Sequence, residues 1–103
     1  MYKIKIKDID NFGGMNHYAA KELKFKPMPQ KNEIFIEEDK PKFMESTLIH
    51  ELTEAELMKK GMRYKPAHKK AIDTEIKAGL VPKNILLKNN KYLFNQLKKD
   101  KKI

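Results

Sequence analysis

The strongest helical pattern in this chain covers residues 41–60, PKFMESTLIHELTEAELMKK. Its apolar residues recur at helical spacing and are Met44, Leu48, Leu52 and Ala55. Gly61 follows two lysines of the last turn, which is typical of a helix end. The pattern predicts an amphipathic helix over residues 41–60 that buries these apolar residues.

The same helix carries ionisable residues beside its apolar stripe. At about 3.6 residues per turn, His50 and Glu54 stack one turn apart, with Cβ atoms about 5–6 Å from each other. An imidazole and a carboxylate at that separation can share one metal ion. Glu51 falls within the apolar face, where a carboxylate is costly unless it is paired or bound.

A second helix is predicted from Pro66 to about Ala78, with Gly79 as its stop. His68 and Glu75 share one of its faces at helical spacing. Only residues 61–65 join the two helices, and such short connections favour neighbouring helices.

Face-to-face packing of the two helices would bring five ionisable residues together. They are His50, Glu51, Glu54, His68 and Glu75. Two imidazoles and three carboxylates can form a divalent metal site, because zinc accepts both nitrogen and oxygen ligands. The alternative is a buried histidine–glutamate network that fixes the helix packing without a metal.

The remaining elements are shorter. Residues 2–7 alternate lysine with apolar residues and predict a half-buried strand, and residues 33–37 predict a second strand. A short helix is expected within 16–25, and a third long helical region within 82–99. Since the strands precede most of the helices, we expect one α+β domain over residues 1–103, with a small two- or three-stranded sheet packed on three to four helices.

Composition narrows the possible environments. The chain has no cysteine, which excludes disulfides and thiolate zinc sites and favours a reducing cytoplasm. Apolar runs near 18 residues are absent, as is a signal-peptide pattern, so we expect neither a membrane span nor export.

The net charge of +9 is concentrated near the C-terminus, where residues 82–103 hold seven lysines and one aspartate. This basic helical segment suggests an alternative function, a non-enzymatic module that binds nucleic acid or an acidic partner. In that case the histidine–glutamate cluster would be structural. The candidate binding residues are Lys83, Lys88, Lys91, Lys98 and Lys99.

Two motifs together resemble a known family. The strand EIFIE at 33–37 followed by TLIHELTEA at 47–55 looks like the core of zincin metallopeptidases. The stretch GMRYKPAHKKA at 61–71, ending at Glu75, is similar to minimal zincin-like proteins of archaea, bacteria and phages. These proteins pair His-Glu-x-x-Glu with a downstream Ala-His-x-x-Ala-x-x-x-Glu.

The resemblance implies His50 as a metal ligand, Glu51 as the general base and Glu54 as the second ligand. Either His68 or Glu75 would be the third ligand. Zinc is the implied metal, and the implied substrate is a peptide that adds to an edge strand at Ile34–Ile36.

The chain departs from the peptidase motif because Glu54 replaces the second histidine. A carboxylate lowers the net positive charge of the site, and with it the acidity of a bound water. Peptide hydrolysis therefore stays an expectation. A metal-dependent nuclease is a further alternative, since it would join the basic segment to the metal site. In an autoinhibited variant of the hydrolase, the segment after Pro82 would fold over the cleft and place Asp100 or the terminal carboxylate at the open metal position.

Overall fold

The computed structural model describes residues 2–9, 12–37 and 43–88. The strands are β1 (Lys3–Lys7), β2 (Gly14–Asn16) and β3 (Glu33–Glu37), and the helices are α1 (His17–Leu23), α2 (Met44–Lys59) and α3 (Tyr64–Ala78). Residues 83–88 form a fourth helix within this part of the chain. The predicted α+β class is confirmed: the described residues form a three-stranded sheet and four helices, within the predicted two to three strands and three to four helices.

The sheet is mixed, and its strand order is β1-β3-β2. β1 runs parallel to β3, with Ile4 opposite Ile34, while β2 runs antiparallel to β3, with Met15 opposite Phe35. All five residues of β3 are buried. The expectation that Ile34–Ile36 form an edge strand is wrong, because β3 has a hydrogen-bonded neighbour on each side.

β1 also differs from its prediction. All five of its residues are exposed, and Ile4 and Ile6 have 42% and 54% of their surface open to solvent. The prediction of a half-buried strand is therefore wrong in its burial, although the strand itself is confirmed. Alternation shows where the apolar side chains point, but a covering element is needed to bury them.

A cluster of apolar side chains forms the main core and includes residues of β2, β3 and the short helix α1. Its members are Ile9, Phe12, Met15, Ala19, Ala20, Leu23, Phe25, Phe35 and Tyr64, with Met58 packed against them. The rings of Phe12 and Phe25 meet edge to face at 4.7 Å, a favoured aromatic geometry. This apolar core fixes α1 and the sheet.

Helix α2 packs against α3, α1, β2 and β3. Its buried residues are Ser46, His50, Glu51, Glu54 and Ala55. Viewed down the helix axis, these five residues span an arc of about 180° that runs from Ser46 to Ala55. Leu48 and Leu52 lie outside this arc, on the side of Ala55. The prediction that those leucines form the centre of the buried face is wrong: they are half-buried, and polar side chains fill the interior.

Helix α3 begins at Tyr64, where a carboxylate of α1 completes its first turn. The backbone N–H of Tyr64 donates to both oxygens of Glu22 at 3.1 and 3.2 Å. An acidic group there satisfies an N–H that lacks an intrahelical partner and complements the helix dipole. The helix ends at Ala78, and its C-cap is Gly79, whose φ of 69° favours glycine. The N- and C-terminal contacts of α3 thus fix the part of the helix that carries His68 and Glu75.

The predicted C-terminal basic segment is only partly described. Lys83 and Lys88 are exposed on the fourth helix, whereas Lys91, Lys98 and Lys99 lie outside the described residues, as does most of the helical region predicted for 82–99. Within the described ranges, each helix is too short or too polar to cross a membrane.

Candidate metal centre

Three donor atoms from α2 and α3 meet in the interior. His50 Nε2 lies 2.9 Å from Glu54 Oε2 and 3.0 Å from His68 Nδ1, and His68 Nδ1 lies 2.7 Å from the same Glu54 oxygen. Each of the three residues is at most 5% exposed. Together they form a buried His–Glu–His group that can hold a metal ion.

The donor atoms are spaced closely enough for one small cation. Ligand atoms at about 2.0–2.1 Å from a tetrahedral zinc ion are roughly 3.3 Å apart. The three distances here are a few tenths of an ångström shorter, and hydrogen bonds from the two imidazoles to Glu54 Oε2 account for the two nitrogen–oxygen distances. The group therefore fits a divalent ion after a small outward movement of its side chains.

The other nitrogen of His50 contacts a second carboxylate. His50 Nδ1 donates to Glu75 Oε1 at 2.5 Å, and the hydroxyl of Ser46 donates to Glu75 Oε2, also at 2.5 Å. A carboxylate on the far nitrogen of a metal-binding imidazole fixes the ring orientation and its tautomer. Glu75 thus lies outside the His–Glu–His group and supports it through His50.

Glu51 lies on the sheet side of the group and contacts β2 through Asn16. The Asn16 amide donates to Glu51 Oε1 at 2.8 Å and to Glu54 Oε1 at 3.0 Å. Asn16 is fully buried, and its own oxygen accepts the N–H of Ala19 as the N-cap of α1. One amide therefore joins two site carboxylates to the sheet and to α1.

Glycine at position 14 allows this close contact between β2 and α2. A Cβ atom there would lie 2.6 Å from Thr47 Cγ2 and 2.8 Å from Glu51 Cγ. Those separations are far shorter than the ordinary contact of about 3.5–4.0 Å between carbon atoms. Since Gly14 and Asn16 share one face of the strand, the absent side chain at 14 lets Asn16 reach the carboxylates.

Ionisation in the site is strongly coupled. Burial opposes the charged imidazole of His50, but hydrogen bonds to Glu54 and Glu75 raise the pKa of His50 well above its usual value. Burial likewise opposes the Glu54 carboxylate, yet hydrogen bonds from His50 and His68 lower its pKa to about 2. Glu51 is the opposite case: burial, reinforced by the Glu54 charge, raises its pKa to about 8.

The cluster holds more carboxyl groups than imidazoles. Three buried carboxylates, those of Glu51, Glu54 and Glu75, face two imidazoles. In the described part of the chain, no lysine or arginine forms an ion pair with these carboxylates. Buried negative charge without a counter-ion is costly. A divalent cation held by the His–Glu–His group would offset the negative charge of the ionised carboxylates.

An aromatic ring supports His68. Tyr64 stacks on the imidazole with ring centroids 5.1 Å apart and an interplanar angle of 30°. Tyr64 is one turn before His68 on α3 and is itself buried. The stack limits rotation of His68, and burial raises the pKa of the Tyr64 hydroxyl well above its usual value, so it stays neutral.

The structure brings together the five site residues that the sequence predicts. His68 belongs to the His–Glu–His group, whereas Glu75 contacts His50 and is not part of that group. Sequence reasoning missed Asn16 and Ser46. Ser46 lies one turn before His50, so helical spacing could have revealed it. Asn16 precedes a predicted helix as a possible N-cap, but that signal does not show that its amide reaches α2.

Comparisons of the chain with protein-family models, with curated proteins and with solved structures find no match. The zincin-like resemblance therefore rests on the motifs of the chain itself and stays a prediction. What the structure adds independently is a buried His–Glu–His group with an adjacent carboxylate, Glu51.

Proposed function

We propose that this protein is a zinc-dependent, zincin-like hydrolase whose metal is held by His50, Glu54 and His68. The observation that carries the proposal is the convergence of two imidazoles and one carboxylate from two adjacent helices. Catalytic zinc sites with two histidines and one glutamate are established among metallopeptidases. The three ligands together therefore match a catalytic type of zinc site. They do so even though Glu54 occupies the position of the second histidine in the His-Glu-x-x-His motif.

When bound, zinc would act as a Lewis acid that polarises a carbonyl and lowers the pKa of a water molecule. The side chains of the protein would do the rest. Glu51 would take the proton of the attacking water and deliver it to the leaving group. In the zinc-free protein the pKa of Glu51 is raised to about 8 by burial, so this carboxyl group already exchanges its proton near neutral pH before a metal is bound. Asn16 and Glu75 would hold the carboxylate and the imidazole in place.

A peptide is the substrate class that the resemblance favours, and we propose a different strand for its binding than the sequence suggested. Since β3 is central, Ile34–Ile36 have no free edge. β1 and β2 are the outer strands, and β2 lies directly against Glu51 through Gly14 and Asn16. A peptide that adds a strand to the sheet beside the site would therefore pair with β2.

Metal content tests the proposal first. The wild-type protein is purified without chelators beside a His50→Ala/His68→Ala variant and analysed by plasma mass spectrometry and zinc titration. We expect one zinc per wild-type chain and none in the variant. His17→Ala is the matched control, because His17 contacts the Pro29 carbonyl and not the cluster, so it should retain full zinc.

Glu51→Gln separates metal binding from catalysis. The glutamine keeps the size of the side chain but cannot take a proton, so we expect zinc to remain and hydrolysis of a peptide library to stop. Absence of zinc from the wild-type protein after titration would end the hydrolase proposal. Zinc in the wild-type protein without hydrolysis of any peptide would leave a structural metal site.

A second candidate function rests on the outer face of α3. Its exposed residues include Lys65, Lys69, Lys70 and Lys77, with Asp73 as an exposed acid, and Lys83 and Lys88 follow on the fourth helix. Such a basic surface would bind nucleic acid through phosphate contacts, and the affinity would fall steeply with salt. Salt-dependent retention of a labelled DNA duplex that is lost in Lys65→Glu/Lys69→Glu would favour this function.

A further inference from the structure

Asn16 has contacts that an N-cap does not require. As a cap it needs only its oxygen, which accepts the Ala19 N–H at 2.9 Å. Its amide nitrogen instead reaches into the cluster, with hydrogen bonds to Glu51 and Glu54 that span 35 and 38 residues of sequence. The side chain is fully buried, so these donors have been removed from water.

The hydrogen bonds divide the two oxygens of Glu54. Oε1 accepts the Asn16 amide at 3.0 Å, whereas Oε2 faces His50 and His68 at 2.9 and 2.7 Å. A carboxylate held in this way offers one oxygen to a cation and keeps the other bound to the protein. A carboxylate without such a partner can rotate and offer both oxygens.

The same amide fixes the neighbouring acid. Glu51 Oε1 accepts Asn16 at 2.8 Å, and among the described residues no donor is bonded to Glu51 Oε2. One planar amide group therefore sets the separation and orientation of both carboxylates. Because the amide is itself anchored by the α1 cap, it cannot turn away without loss of that bond.

We propose that Asn16 is a positioning residue of the metal centre, which limits Glu54 to one ligating oxygen and aims Glu51 at the remaining coordination positions. This inference rests on the proposed function, since it assigns the role relative to a metal bound by His50, Glu54 and His68. Outer groups of this kind typically contribute about 10–100-fold to metal affinity or activity.

Asn16→Ser provides the test, because serine still caps a helix but is too short to donate to both carboxylates. Zinc affinity is measured by competition with a chromophoric chelator, and the visible spectrum of the cobalt(II)-substituted protein reports the coordination. We expect about 10–100-fold weaker zinc binding and a changed cobalt spectrum. Asn84→Ser, the same replacement at an exposed position, should match the wild-type protein in both measurements.

An unchanged affinity and an unchanged cobalt spectrum in Asn16→Ser would overturn the positioning role and leave the metal site intact. A wild-type protein that binds neither zinc nor cobalt would overturn the proposed function as well, so the two failures are distinguishable. If Asn16→Ser does not fold, the Asn16 side-chain amide is followed by NMR in the wild-type protein. Slow hydrogen exchange and a shift on zinc addition support the proposal; fast exchange with no shift would refute it.

Discussion

Two buried regions of this protein have opposite chemistry. The apolar core around Met15, Leu23 and Phe35 gains free energy as its surface leaves water, by about 25 cal/mol per Å². The polar cluster between α2 and α3 is just as well buried, but it holds three carboxylates and two imidazoles. Its desolvation is costly, and mutual hydrogen bonds offset only part of that cost.

The two regions therefore differ in their contributions: the apolar core stabilises the fold, whereas the polar cluster carries a desolvation cost and could hold a metal ion. A domain of this size is typically stable by about 5–15 kcal/mol, so a large buried polar cluster is a substantial burden. Apolar residues of similar volume would fill the same space without unpaired charge. The polar cluster therefore stabilises the fold less than apolar residues would, and its His–Glu–His group could hold a metal ion.

The largest expected effect comes from the apolar core. Leu23 is almost fully buried, so Leu23→Ala removes contacts and leaves a cavity, with an expected loss of about 2–5 kcal/mol in the free energy of unfolding. Chemical denaturation of the zinc-free protein measures it. Zinc affinity of the folded protein should not change, because Leu23 belongs to the apolar cluster and not to the metal group.

Leu52→Ala is the matched control. Because Leu52 is only half-buried on α2, its replacement should lower the free energy of unfolding clearly less than Leu23→Ala does. Equal losses at the two positions would contradict the assignment of the main core. Weakened zinc binding by Leu23→Ala in the folded state would show that the two regions are not independent.

Replacement of the buried polar cluster by apolar residues should change the free energy of unfolding less than Leu23→Ala does, and in the opposite direction. In a variant with His50→Leu, Glu54→Met, His68→Leu and Glu75→Met, the desolvation cost disappears along with the hydrogen bonds. We expect the zinc-free protein to be unchanged or stabilised by about 1–4 kcal/mol, while zinc binding is lost.

His50→Ala alone is the contrasting control, because it leaves Glu54 and Glu75 without their shared imidazole and should destabilise the protein. A quadruple variant less stable than the single one would show that the cluster is a stabilising network. The metal-free alternative would then be the better interpretation of the site.

Part of this arrangement could be predicted from sequence. Periodicity and end signals indicated α2 and α3, and the short connection between them indicated that their ionisable residues would meet. Local patterns were sufficient because these helices are long and neighbouring. The strand β2 was missed, since three residues beginning with Gly14 carry too little alternation to distinguish a strand from a turn.

The orientation of α2 was also beyond local patterns. Counting apolar residues placed Leu48 and Leu52 inward, whereas the structure turns Ser46, His50 and Glu54 inward. Polar residues can fill a helix interface when each finds a partner on another element, and those partners become visible only in three dimensions. Asn16 is the clearest case, because the two carboxylates that accept its amide N–H groups are more than thirty residues away in sequence.

A further expected effect is a pH dependence of stability that differs between the zinc-free and zinc-bound protein. In the folded zinc-free protein the pKa of Glu51 is raised to about 8, so between about pH 4.5 and 8 the folded state keeps a proton that the unfolded state releases. The raised pKa of His50 acts in the same direction above about pH 6.5. Stability in the presence of chelator should therefore fall as pH rises from 5 to 8, and the fall should be shallower in Glu51→Gln.

Zinc should reverse the trend, because it competes with protons for the same ligands and binds more tightly as they are lost. Thermal denaturation at pH 5, 6.5 and 8, with chelator and with excess zinc, measures both curves. The difference between the two curves should increase from pH 5 to pH 8, because the zinc-free protein loses stability while the affinity for zinc rises. Parallel curves would mean that zinc binds elsewhere, which would separate the metal from the buried polar cluster.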